Sequence, residues 1–241
     1  MTYCVGLKLN AGLVLLSDTR TNAGLDNIAC YRKMFFFEQP GERAIVVMTA
    51  GSLSVTQTTL ARLNEAIHDE MADETTSIMK AQTMLQVATI IGDTLSRTRR
   101  EIAEQTRDLR QQASASMIVA GQRQGGDMRM YLIYPEGNFI EATEDTPFLQ
   151  IGEHKYGKPI LDRVVTPATS LADAQKAVLL SMDSTLRSNL SVGMPLDLAI
   201  IARDACAVTH RRRILKGDAD FARMSAAWSA ALRDSFVKVS I

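Results

Sequence analysis

A hairpin at the start of the chain constrains the rest of the fold. Residues Thr2 to Arg20 read TYCVGLKLNAGLVLLSDTR. Val5, Leu7 and Leu9 alternate with Gly6 and Lys8, the period-two pattern of a half-buried strand. Leu13 to Leu16 is a short unbroken apolar run, which suits a strand covered on both faces. Asn10-Ala11-Gly12 between them is turn chemistry: asparagine tolerates a left-handed backbone and glycine adopts it freely. A turn fixes the register of its hairpin, so facing positions should sum to about 20 or 21. Asp18 or its neighbour then lies across from Thr2.

That placement gives Thr2 a chemical meaning. A small second residue permits removal of Met1, which would leave Thr2 with a hydroxyl nucleophile and an amine on one residue. An α-amine titrates near 7.7 to 8.0 in the absence of perturbation, so it can act as the base for its own hydroxyl. The next stretch brings further groups. Lys33-Met34-Phe35-Phe36-Phe37 reads as a strand, Gln39-Pro40-Gly41-Glu42 as a turn, and Ala44 to Ala50 as the returning strand. Pairing Glu38 with Arg43 predicts Lys33 roughly opposite Met48. Gly51 sits where that strand gives way to a helix, and a backbone N–H there meets a ligand unobstructed by a side chain. A hydroxyl with an amine, a carboxylate, an ammonium and a bare backbone donor are thus predicted to converge.

These residues resemble the proteasome β-subunit superfamily of N-terminal-nucleophile hydrolases, and within it the bacterial Anbu (ancestral β-subunit) branch. The motifs that carry the resemblance are Thr2 opening the first strand, Ser17-Asp18-Thr19-Arg20 closing the second, Lys33, and Thr49-Ala50-Gly51-Ser52-Leu53 leading into a helix. The segment from Ile151 to Leu161 adds to it, and the similarity extends over essentially the whole chain.

The rest of the sequence fits one domain, residues 1–241. A 241-residue chain with 46% hydrophobic content can bury one sizeable core, and no linker interrupts it. Lys plus Arg (27) balances Asp plus Glu (27), so charge points to neither a nucleic-acid nor a membrane partner. There is no basic-then-apolar leader and no apolar run of the roughly 20 residues that a membrane helix needs. Cys4, Cys30 and Cys206 have no framework spacing and read as free thiols in a reducing cytoplasm. With only 3 histidines and no ligand spacing, no metal site is expected, and His68 and His154 read as structural.

Periodicity places helices over about 52–71 and from Met84 past Ile102, the latter ending in the alternating charge of 97–112. Strands are expected at 116–121, 128–134, 139–142 and 148–152, the last closing one meander. A helix at about 155–164, a second capped by Ser170 and Asp173, one long strand over 196–208 and a last helix at 221–236 complete the chain. The order alone gives α+β. The resemblance implies a four-layer αββα sandwich, two antiparallel sheets flanked by helix pairs.

The acyl-transfer reading gives each group a role. The Thr2 hydroxyl attacks an amide carbonyl and its amine takes the proton. Lys33 favours the neutral amine, Asp18 fixes Lys33, and the Gly51 N–H stabilises the oxyanion. The resemblance further implies a catalytic Ser191, pocket residues Thr21, Thr49 and Leu53 with small polar and aliphatic walls, no cofactor, and self-association into rings or open spirals. Two positions depart from the family pattern. Glu153 stands where a Gly-Ser-Gly motif has its serine, and Ser188 replaces the aspartate of Asp-x-x-Ser. They motivate an alternative: a weakly active or inactive scaffold, or a hydrolase dedicated to one amide-linked product. Whether an unfoldase delivers substrate is not encoded. The basic run His210-Arg211-Arg212-Arg213 reads as a solvated edge or a salt-bridge site between subunits.

Overall fold

A computed structural model of the chain describes residues 2–22, 28–106 and 113–240. The chain opens with β1 (Tyr3–Leu9) and β2 (Gly12–Asp18), which pair antiparallel with Cys4 opposite Ser17, so facing numbers sum to 21. Short β3 (Arg20–Asn22) and β4 (Ile28–Cys30) pair with each other and lead into β5 (Met34–Gln39) and β6 (Arg43–Gly51). Helices α1 (Leu53–His68) and α2 (Met84–Gln105) follow. Four strands come next: β7 (Ala115–Arg123), β8 (Arg129–Ile133), β9 (Phe139–Glu141) and β10 (Phe148–Gly152). Helices α3 (Lys158–Val164) and α4 (Leu171–Ser188), strands β11 (Leu196–Ala202) and β12 (His210–Ile214), and α5 (Ala219–Lys238) complete it.

Two five-stranded antiparallel sheets result, one in the order β10-β1-β2-β11-β12 and the other β5-β6-β7-β8-β9. The period-two pattern dictates which residues each layer receives. Cys4, Leu13 and Leu15 face the second sheet and pack with Val46, Met48, Ile118 and Met130. Val5, Leu7, Val14 and Leu16 face the other way, onto Leu161 of α3 and Val178 and Met182 of α4. On the far side of the second sheet, Val47 and Val119 pack with Val55 and Leu63 of α1 and Val87 and Ile91 of α2. Three apolar seams therefore separate four layers, and the fold is the αββα sandwich. Ser170 accepts the Asp173 N–H at 3.1 Å and starts α4 as its sequence predicts. Most of α5 lies outside these layers, with Leu232, Phe236 and Val237 exposed.

Several expectations are corrected. The β5–β6 loop holds three residues, so Gln39 rather than Glu38 faces Arg43, and Lys33 falls opposite Thr49, whose N–H donates to the Lys33 carbonyl at 2.9 Å. Strand β10 does not close the meander: it crosses to the first sheet and pairs with β1, Tyr3 opposite Gly152. The single strand expected over 196–208 ends at Ala202: β11 covers only Leu196–Ala202, the residues up to 209 form the connection, and the chain returns as β12, paired antiparallel with β11. The basic run lies on that edge strand and finds its partners within the chain. Arg211 pairs with Glu38 and stacks on Phe36 at 3.8 Å from the ring centroid, Arg212 pairs with Asp218 and Asp220, and Arg213 with Asp197. The charged end of the second helix lies partly outside the described residues.

Candidate active site

The hairpin register puts Tyr3 beside Asp18, and the Tyr3 N–H donates to Asp18 Oδ1 at 3.1 Å. Thr2, one residue earlier, heads β1 and is 8% exposed. Lys33 precedes β5, and its Nζ donates to Asp18 Oδ1 at 2.7 Å and to the Arg20 carbonyl at 2.6 Å. The Gly193 N–H reaches Asp18 Oδ2 at 3.2 Å. Burial pushes the Asp18 carboxyl up, while Lys33 and the Tyr3 and Gly193 N–H groups pull against it.

Gly51 ends β6 with φ +105°, a conformation that excludes an ordinary side chain, and a Cβ there would lie 2.4 Å from the Ser114 carbonyl oxygen. Strand residues alternate their hydrogen-bonding edge. Because Thr49 donates towards Lys33, Gly51 directs its N–H to the same edge, where β5 has not yet begun.

One cavity of about 300 Å³ gathers these groups: Thr2, Lys33 and Gly51 line it, together with Thr21, Thr49 and Leu53. Of the residues singled out in the sequence, Asp18 lies behind this lining as the partner of Lys33. Ser191 is not part of the lining; its N–H donates to Asn189 Oδ1 at 3.0 Å. The cavity also contains Arg32 and Thr56, which the sequence motifs do not single out, and Gly152, which lies in the 151–161 segment that they do. Arg32 carries a signal, as the residue next to Lys33. The pairing of β10 with β1 is what brings Gly152 to the cavity.

Glu153 is buried and fully engaged. Its own N–H donates to the Thr2 carbonyl at 2.6 Å. Oε1 accepts the N–H groups of His154 and Lys155, each at 2.9 Å, and Oε2 accepts Asn189 Nδ2 at 2.9 Å. Burial raises its carboxyl, but these donors outweigh burial and hold it below the ordinary value. Asn189 in turn accepts the Ser191 N–H and so braces the turn that runs on to Gly193, the donor to Asp18. Glu153 thus belongs to a hydrogen-bonded path running from Thr2 around to Asp18.

Among the described residues, no cluster of His, Cys, Asp and Glu could hold a metal ion, and no helix is long and apolar enough to cross a membrane. The three thiols are unpaired.

Residues 2–201 match the proteasome subunit family. An Anbu (Gly-1) mutant from Hyphomicrobium sp. strain MC1 superposes with a TM-score of 0.93 at 49% identity, covering 100% of this chain and 99% of that one. Anbu from Yersinia bercovieri gives 0.92 at 41% identity, covering 99% and 98%. A protein described as the helical assembly of the Anbu complex from Pseudomonas aeruginosa gives 0.91 at 44% identity, covering 99% and 97%. No curated protein matches the chain.

Proposed function

The chain belongs to the proteasome subunit family, and from that premise we propose that it is a threonine-type amide hydrolase acting through an acyl-enzyme on Thr2, freed by removal of Met1. The observation that carries this reading is the buried Asp18–Lys33 pair bordering the cavity that Thr2 lines.

In this mechanism the Thr2 hydroxyl attacks the amide carbonyl, and the Thr2 amine accepts its proton, directly or through a water. Lys33, held as an ammonium against Asp18, disfavours a second positive charge on that amine and stabilises the forming alkoxide. The Gly51 N–H takes the oxyanion, an interaction whose loss typically costs about 10²–10³ in rate. The C–N bond breaks as the leaving amine receives the proton, leaving an ester on Thr2. Water, deprotonated by the same amine, then releases the acid and restores Thr2.

The chain acts in the cytoplasm in this reading, a setting its free thiols suit, and it self-associates as the Pseudomonas relative does. The direct test is the intact mass before and after an electrophile that bridges an N-terminal threonine's hydroxyl and amine. A mass lacking Met1, with one adduct lost in Thr2→Ala, is expected. A retained Met1 or a Thr2-independent adduct overturns the reading. Glu153 favours a second reading, a hydrolase reserved for one amide-linked product or a scaffold of little activity. Rapid cleavage across a broad peptide library would remove it.

A further inference from the structure

The charges around the cavity do not cancel. Lys33 contributes little outward charge, because Nζ is spent on Asp18 and the Arg20 carbonyl and the residue is 5% exposed. Among the described residues, no carboxylate lines the cavity. Arg32 does line it, is exposed, and has neither a hydrogen bond nor an ion pair among the described residues. Its field reaches Asp197, but that carboxylate is already engaged by Arg213 at 3.3 Å. A second positive source is the start of α1. Leu53 and Thr56 from its first turn line the cavity, and the Ser52 side chain does not cap the helix. The rest of the lining includes short side chains: Thr21, Thr49 and Ala50.

We propose that Arg32 determines specificity, and that the cavity takes an acyl residue bearing a side-chain carboxylate. The proposal rests on the Thr2 reading for its chemistry but not for its binding. A guanidinium offers a planar fork of donors to a carboxylate, where it is a poor partner for an ammonium or an aliphatic group. Thr21, Thr49 and Leu53, the pocket residues expected from the sequence, supply small polar and aliphatic walls, and Arg32 adds a charge to them.

Acetyl-Ala-Ala-Glu amide, its Gln isostere and its Lys counterpart are the probes, each also prepared with a threonine-directed electrophile at its C-terminus. Equilibrium binding of the plain amides to the Thr2→Ala protein should favour Glu over Gln by about tenfold, weaken with salt, and lose that preference in the same protein carrying Arg32→Gln. The electrophiles should modify the unsubstituted protein in the same order. Equal binding of Glu and Gln, or a preference that survives Arg32→Gln, overturns the assignment. Failure of every electrophile to modify Thr2, with the binding preference intact, would instead overturn the nucleophile and leave Arg32 as the selecting residue.

Discussion

Lys33 Nζ lies 2.7 Å from Asp18 Oδ1, with Lys33 5% and Asp18 0% exposed. A pair this deeply buried is stable only while both partners remain. Lys33→Met should cost about 3–5 kcal/mol, because it leaves the Asp18 carboxylate uncompensated. Adding Asp18→Asn should recover part of that loss. Denaturant unfolding of the two single variants and the double variant measures the coupling. Simple additivity would mean that the two side chains are not energetically paired.

Glu153 and Asn189 allow an exchange of partners. Glu153→Gln puts an amide donor where Asn189 already donates, and should cost about 1–3 kcal/mol. Asn189→Asp alone sets two carboxylates together and should also destabilise. The double variant restores the contact with its direction reversed: the introduced amide at position 153 donates to the introduced carboxylate at position 189, whose other oxygen still accepts the Ser191 N–H. Its stability should return to within about 1 kcal/mol of the parent, and reactivity of Thr2 should return with it. A double variant no better than the sum of the singles would count against the path from Thr2 through Glu153 to the 189–193 turn.

The same carboxylate carries a pH dependence. Its folded value is held below the ordinary 4.5, so its contribution is full above that pH and is lost as pH falls through the folded value. The stability gap between the parent and Glu153→Gln should therefore be widest near neutral pH and close in acid. Unfolding midpoints measured near neutrality and at several points below 4.5 test this. A gap that does not narrow in acid would show that Glu153 does not titrate in this range.

The features legible in the sequence obey local rules. Alternation over Val5, Leu7 and Leu9 and the turn at Asn10-Ala11-Gly12 fix the first hairpin to within its observed register, and that register carries Thr2 to the end where Asp18 lies. The next hairpin differs by one place, because Pro40-Gly41 suits a four-residue turn as well as the three-residue loop it makes. The difference moves Lys33 from Met48 to Thr49 without removing it from the site. Long-range pairing is less legible. Nothing within Phe148–Gly152 says that it leaves its neighbour in sequence to bind β1, yet that choice brings Gly152 and Glu153 against Thr2. In the sequence Arg212 and Arg213 read as a solvated edge or a salt-bridge site between subunits; Arg213 instead meets Asp197 across a hairpin that the apolar pattern does not reveal, and Arg212 meets Asp218 at the start of α5.

Gly152 shows how narrowly Thr2 is held. It lies opposite Tyr3 with φ +81°, and a Cβ built on it would sit 2.1 Å from the Thr2 carbonyl oxygen and 2.8 Å from the carbonyl carbon. Both atoms are backbone, so Gly152→Ala cannot be absorbed by a side-chain rotation; β1 or β10 must move. Gly125 is the control. It has φ +73° and open space around it, so Gly125→Ala meets only the left-handed penalty, about 1–2 kcal/mol. Gly152→Ala should lose at least as much stability and, beyond that, slow adduct formation on Thr2 by about 100-fold, the effect of a misplacement near 1 Å at a reacting atom. Gly125→Ala should react at the parent rate. Rapid-quench or mass-resolved kinetics with the bridging electrophile separates the two. Equal reactivity in both variants would mean that some contact other than the β1–β10 approach sets the position of the Thr2 hydroxyl.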